Sequence, residues 1–231
     1  MRTFRLRPAA LLACAPINDR HRRLHYEGVT RDIIAYLPAD DVELLDYGCG
    51  DTPAAAKLAQ ACGRLLLCDA STRVRERLVA RYADRRNITV VSPRDFEALT
   101  AHSLGMIVVN SVVQYLSRPQ FEHLLAQARE KLKPGGVLLL ADIVPRQVGP
   151  VRDALQLLEF AAGAGFLLPA LFGLARSYFS PYRKIRQRSG FLQFDAGEVL
   201  QLLRQHGFWA ERQPRNIGHN AQRMTFLALA T

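Results

Sequence analysis

The sequence predicts an α/β fold, a mostly parallel sheet with helices on both faces. Three observations predict it. Short, nearly continuous apolar runs alternate with helical segments between residues 42 and 142. The first of these runs ends in the glycine turn Gly48-Cys49-Gly50, and the chain closes with two apolar strands joined by a polar link. Strands that are apolar at successive positions are buried on both faces, which is the signature of a parallel sheet sandwiched by helices. The 231 residues suffice for one such core plus an elaboration, and not for two independent enzyme domains.

The elements follow in order. Residues 20–37 place Tyr26, Val29, Ile33, Ile34 and Leu37 at helical spacing, ending at Pro38. Val42–Tyr47 is the first strand. Pro53–Ala61 reads as a helix with Pro53 in its first turn, where the missing N–H costs nothing. Arg64–Asp69 is the second strand, and Ser71–Arg81 a helix capped by Ser71. Ile88–Val91 and Met106–Asn110 are the third and fourth strands. Pro119–Leu132 is a helix stopped by Pro134-Gly135-Gly136, and Val137–Asp142 is the fifth strand. Residues 147–190 depart from this alternation, with a long apolar stretch and then the basic run Arg183-Lys184-Ile185-Arg186-Gln187-Arg188. Asp195–His206 is a helix ended by Gly207, and Phe208–Gln213 and Arg223–Ala230 form the closing antiparallel pair.

Composition narrows the class. Net charge is +10, carried by arginine, since lysine occurs only at Lys57, Lys131, Lys133 and Lys184. Such a balance leaves nucleic acid and an anionic membrane open as partners. No interleaving of aromatic and basic residues marks a nucleic-acid platform, so nucleic acid is not favoured. Cys14, Cys49, Cys62 and Cys68 form neither a metal cluster nor a disulfide framework. The apolar stretch before Pro16 is too short for a secretion signal, and a cytoplasmic protein with free thiols is expected.

Leu44-Leu45-Asp46-Tyr47-Gly48-Cys49-Gly50-Asp51-Thr52 carries the most information. A strand running through glycines into a helix converges backbone N–H groups on one spot at the carboxyl edge of the sheet. Asp46, just before the turn, either accepts from an ammonium group or holds the loop. A dinucleotide fingerprint needs a third glycine where Pro53 stands. Asp69 ends the second strand at the position where a carboxylate can accept from both hydroxyls of a ribose; a helix cap is the alternative.

These residues resemble the class I methyltransferases that use S-adenosyl-L-methionine, whose fold is a Rossmann-like seven-stranded sheet with the last strand antiparallel. Their first motif looks like Asp46–Thr52, with Thr52 where a third glycine often stands. The resemblance implies that Asp46, Gly48, Cys49 and Gly50 surround the methionine part of the donor and that Asp69 and Ala70 lie at its ribose. It implies an acidic residue after strand three for the adenine amine; Asp95 is the nearest match, with Phe96 beside it to cover the ring. A loop cap and a core residue are the alternatives for that pair. The run Met106–Leu116 resembles a strand-four motif in which Asn110 and Ser111 close the donor pocket while Gln114 and Tyr115 face the methyl group or the acceptor. Lys133-Pro134-Gly135-Gly136 is a further resemblance, supporting the fold more than the chemistry.

The implied organisation is an N-terminal helical cap over residues 1–40, a donor-binding core over 41–146, a helical lid or acceptor-binding insertion over 147–194, and the end of the core sheet over 195–231. Methyl transfer from a sulfonium is a direct displacement governed by positioning, and an alcohol or phenol benefits from a base. Of the six histidines, His206 reads as a helix C-cap, and His102 and His123 as surface positions. His219 lies in the link between strands six and seven, which borders the acceptor edge; His25 lies in the N-terminal segment. His219, His25 and Tyr115 are the candidate catalytic or substrate-orienting residues, and no pair is spaced as a metal site. The stretch Phe160–Ala175 is interrupted by Pro169 and too short to span a bilayer. It reads as a lid or acceptor wall, or else as core or the surface of a homodimer; with the adjacent basic run it could rest peripherally on a membrane. The expected activity is methylation of an O or N atom of a partly apolar small molecule, as in secondary metabolism. An RNA methyltransferase and a catalytically silent binding protein of the same fold are the alternatives.

Overall fold

The computed structural model describes residues 19–146, 192–218 and 220–231, with side chains from Tyr26 onward. Helix α1 (Asp19–Ile34) precedes β1 (Glu43–Tyr47), α2 (Ala55–Gln60), β2 (Arg64–Cys68), α3 (Thr72–Arg81) and β3 (Ile88–Val91). Then come α4 (Pro93–Glu97), β4 (Leu104–Asn110), a 3-10 turn at Val113–Tyr115, α5 (Arg118–Lys131) and β5 (Leu132–Ile143). After the insertion the chain continues as α6 (Ala196–Gln205), β6 (Phe208–Arg212) and β7 (Met224–Ala230).

The strands form one seven-stranded sheet in the order β3-β2-β1-β4-β5-β7-β6. All neighbours from β3 to β5 are parallel, and β7 runs antiparallel to both β5 and β6. Chain order reverses between β1 and β4. Open α/β sheets bind ligands outside the carboxyl ends of the strands at such a point.

Alternate strand residues feed two cores. On one face Leu45, Tyr47, Ile107, Val109, Leu138 and Leu140 meet Phe121, Leu125 and Leu203 from α5 and α6. On the other, Leu44, Leu65, Leu67, Met106 and Val108 meet Ile33, Leu58 and Leu78 from α1, α2 and α3. Helices therefore cover both faces, as the unbroken apolar strands require. Each such side chain contributes about 1.5–3 kcal/mol by leaving water.

Local signals placed most boundaries. Ser71 Oγ accepts from Val74 N at 3.4 Å and starts α3. His206 is the C-cap of α6, with Gly207 at φ +78° ending it. Three expectations need correction. Pro53 lies outside α2, which begins after Ala54. The segment Lys133–Gly136 belongs to β5: Leu132 pairs with Leu104 and Val137 with Met106, so the residues between bulge out of the ladder. Finally, Ser92–Glu97 forms a helical turn, α4, where only a loop was expected. The expected lid or acceptor wall and the basic run Arg183–Arg188 lie outside the described residues, as does Cys14. Cys49, Cys62 and Cys68 are free and buried. No helix among the described residues is long and apolar enough to cross a membrane.

Candidate functional site

The glycine turn is built by backbone bonds from the neighbouring strand. Gly48 N and Cys49 N both donate to Cys68 O, at 2.7 and 3.1 Å. Gly50 N donates to Asp69 Oδ2 at 3.0 Å, and Ser71 N donates to Asp69 Oδ1 at 2.8 Å. Asp69 thus ties the β1 turn to the start of α3 with one carboxylate. Gly48 and Gly50 adopt φ +74° and +62°, the left-handed region that disfavours a Cβ. At Gly48 a Cβ would also fall 2.4 Å from Val112 Cγ2, whereas at Gly50 the nearest atom is Tyr26 Oη at 3.7 Å. The first glycine serves packing; at the second a Cβ would make only an ordinary contact with the Tyr26 hydroxyl.

Two further contacts brace the loop. Tyr82 Oη donates to Thr52 O at 2.7 Å, and Asp51 pairs with Arg81 at 2.6 Å. Helix α1 crosses beside it: Gly218 N donates to Asp32 Oδ2 at 2.9 Å, and Glu27 pairs with Lys57 at 3.5 Å.

Asp46 stands at the centre of this edge. It is partly exposed yet hemmed in by protein, and burial, aided by the charge of Asp69, pushes its carboxyl up to about 7. Its carboxylate forms no hydrogen bond or ion pair among the described residues. Asp69 is also raised by burial, an effect opposed by the Ser71 and Gly50 amides and by Arg75. Burial, with Asp46 and Asp69 nearby, raises the Cys49 thiol well above its usual range, so it is an inert part of the turn. A carboxylate unpartnered among the described residues, just before a glycine turn, suits the ammonium of an amino acid, and the buried Asp69 beside exposed Ala70 suits a polar ligand lying along the edge.

Asp95 and Phe96 both take up the alternative roles, a cap and a core residue. Asp95 Oδ2 accepts from Ser92 N at 2.8 Å and from Ser92 Oγ at 2.7 Å, while Ser92 Oγ accepts from Asp95 N, a reciprocal capping box. Those hydrogen bonds hold its carboxyl below the usual range. Phe96, 2% exposed, packs edge-on against Tyr47 with ring centroids 5.5 Å apart and offers no free face to a base. The sequence Ser-Pro-x-Asp was itself a helix-start signal.

At the far side of β4, Asn110 and Ser111 are partly exposed. Ser111 Oγ donates to Asp142 Oδ2 at 2.8 Å, joining the ends of β4 and β5. Asp142 N donates to Asn216 Oδ1 at 3.1 Å, which also accepts from Thr225 Oγ1 at 2.8 Å. Sequence reasoning passed over Asp142, Asn216 and Arg223; the one available signal was a carboxylate ending the apolar run of strand five. Tyr115 lies partly exposed in the 3-10 turn, and Gln114 beside it is buried, its Oε1 lacking a hydrogen-bond partner among the described residues. His219 lies outside the described residues; His25 falls on α1, with its side chain outside them. His102 Nδ1 lies 2.9 Å from Leu132 O, before the start of β4, and His123 stands 3.8 Å from Glu97.

Residues 44–136 match the family model of the methyltransferase domain. Over that stretch the chain is similar to the methyltransferase domain family. Solved structures agree in fold. The N-methyltransferase NodS from Bradyrhizobium japonicum is 20% identical with a TM-score of 0.57, over 90% of this chain and 95% of its own. The magnesium protoporphyrin IX methyltransferase ChlM from Synechocystis, solved with bound S-adenosylhomocysteine, is 14% identical with a TM-score of 0.58, over 93% and 88%. The CurJ carbon methyltransferase is 16% identical with a TM-score of 0.58 over 93% of this chain, which spans only 56% of CurJ. No curated protein matches the sequence. The methyltransferase domain model ends at Gly136, before Asp142 and the β6–β7 link.

Proposed function

We propose that this protein transfers the methyl group of S-adenosyl-L-methionine to an O or N atom of a partly apolar small molecule. The observation that carries the reading is the juxtaposition of Asp46, unpartnered among the described residues, with a Gly48–Gly50 turn held in shape by Asp69. Asp46 receives the donor's ammonium, Gly48, Cys49 and Gly50 present backbone along its methionine, and Asp69 and Ala70 border its ribose. Asn110 and Ser111 close the pocket from β4. The donor supplies a methyl group already activated on a sulfonium. An acceptor lone pair forms the new bond to that carbon as the S–C bond breaks, its electrons passing to sulfur. The acceptor's proton leaves to a base or to solvent, and His219, His25 and Tyr115 are the proposed groups near that event.

NodS, ChlM and PhzM are similar in fold and are described as an N-methyltransferase, a porphyrin methyltransferase and a pyocyanin biosynthetic protein, which supports a small acceptor. On this reading residues 1–40 cap the donor, 41–146 and 195–231 make the core, and 147–194 wall the acceptor. The basic surplus and the apolar segment extend it to cytoplasmic protein resting peripherally on a membrane, or pairing as a homodimer.

Calorimetric titration with S-adenosylhomocysteine tests the donor site, with NADH as control. Micromolar binding that Asp46→Ala weakens, with no response to NADH, is expected; folded protein that ignores S-adenosylhomocysteine would leave a silent scaffold as the better reading.

A further inference from the structure

Ser111 and Asp142 are two of only three non-glycine residues among those described that adopt a left-handed backbone, each at φ +58°. Ser111 directly follows β4 and Asp142 is the penultimate residue of the adjacent β5, so both stand at the carboxyl ends of their strands, and their side chains are bonded to each other at 2.8 Å. Backbone conformations that a Cβ disfavours persist where surrounding structure imposes them, and they concentrate at functional sites. Here the imposing contacts are visible. Ser111 N donates to Ala141 O at 3.2 Å, and Asp142 N is held by Asn216, itself held by Thr225 of β7. Arg223 Nε stands 3.9 Å from Asp142 Oδ1. The side chain of Asp142 nevertheless keeps 22% of its surface exposed, at the same sheet edge as the glycine turn.

Its location is specific. Strand β4 lies between β1 and β5, so Asp142 stands two strands away from the glycine turn, roughly 10 Å at ordinary strand spacing. Val112, which packs on Gly48, directly follows Ser111. A ligand whose amino-acid end sits at Asp46 and whose reactive centre lies over β4 brings the attacking atom of a second ligand to Asp142. An ionised carboxylate only accepts hydrogen bonds and has about four positions to do so, and Ser111 Oγ takes one of them on Oδ2.

We propose that Asp142, aimed by Ser111, accepts a hydrogen bond from the attacking atom of the methyl acceptor. The site then selects acceptors whose nucleophilic atom carries a proton, namely amines and hydroxyls, over tertiary amines and thioethers. The inference rests on the donor assignment above, and the test separates the two.

Sinefungin serves as the probe, because it carries an amino group on carbon where the donor carries its methyl group on sulfur. That ammonium stands at the methyl position and points toward the place of the attacking atom, within reach of a carboxylate that faces it. Calorimetry should show wild-type protein binding sinefungin about tenfold more tightly than S-adenosylhomocysteine, the scale of a charge-assisted hydrogen bond. In Asp142→Asn, nearly isosteric and still able to accept from Ser111, the preference should fall to within about threefold while S-adenosylhomocysteine affinity is kept. Ser111→Ala, which keeps the charge but releases its aim, should give an intermediate ratio. A wild-type protein with no sinefungin preference overturns the proposal without any variant being needed. So does a preference that survives in Asp142→Asn, or loss of S-adenosylhomocysteine binding in that variant, which would make Asp142 part of the donor site. If neither compound binds folded wild-type protein, the donor assignment itself fails.

Discussion

Gly50 donates its backbone N–H to Asp69 Oδ2 across nineteen residues of sequence, at 3.0 Å. The same carboxylate takes Ser71 N through its other oxygen. One side chain therefore sets the shape of the glycine turn from the adjacent strand before any ligand arrives. A ligand that also bonds to Asp69 meets a turn already in position, which reduces the ordering cost of binding.

Asp69→Asn keeps one oxygen acceptor and loses the other together with the charge. S-adenosylhomocysteine affinity is expected to fall about 10- to 100-fold, with stability lowered by about 1–3 kcal/mol from the loosened amide. Calorimetry and urea denaturation of the same variant measure the two effects separately.

Gly48→Ala meets both a φ of +74° and Val112 Cγ2 at 2.4 Å. A loss of about 1–3 kcal/mol is expected in urea denaturation. In a Gly48→Ala, Val112→Ala double variant the clash is removed and the backbone strain remains, so the two changes should be coupled and recover only part of the loss.

Burial, then the charge of Asp69, raises the Asp46 carboxyl to about 7. The folded chain holds that proton more tightly than the unfolded one. Its contribution to stability is complete below about pH 4 and is lost as pH rises through about 7. Thermal melts of Asp46→Asn should accordingly lack part of the decline between about pH 5 and pH 8. An ammonium favours the ionised carboxylate, so S-adenosylhomocysteine affinity should climb with pH, by at most about tenfold per pH unit below 7. Asp46→Asn should flatten that slope.

Asp95 and Phe96 make a contrasting pair. Asp95→Ala should cost about 0.5–2 kcal/mol through the lost cap, and Phe96→Ala about 3–5 kcal/mol through the cavity left beside Tyr47. Neither should change S-adenosylhomocysteine affinity more than about twofold while the protein remains folded. A large loss of binding in Asp95→Ala would return this residue to the adenine side.

Much of the fold was legible because its signals are local. Unbroken apolar strands, the Ser71 cap and Gly207 report on a few neighbouring residues, and periodicity alone assigns them. The glycine turn was legible for the same reason, since Asp46, Gly48 and Gly50 lie within five residues and Asp69 follows at the end of the next strand. The Ser92–Asp95 box was legible in the same way, as a local capping signal, and the cap was one of the two readings the sequence left open for Asp95.

By itself the sequence determined the alternation of elements, the parallel core, the closing antiparallel pair and the residues gathered at the first glycine turn, because these follow from patterns within a few residues. Only the tertiary structure decided that Asp46 lacks a partner among the described residues, that Phe96 turns into the core, and that Ser111 and Asp142 meet at the ends of β4 and β5. Those outcomes depend on strand order and on the bulge at residues 133–136, which set the register of β5 against β4. A contact between residues thirty-one positions apart leaves no periodic trace in the chain; it exists because two strands were laid side by side.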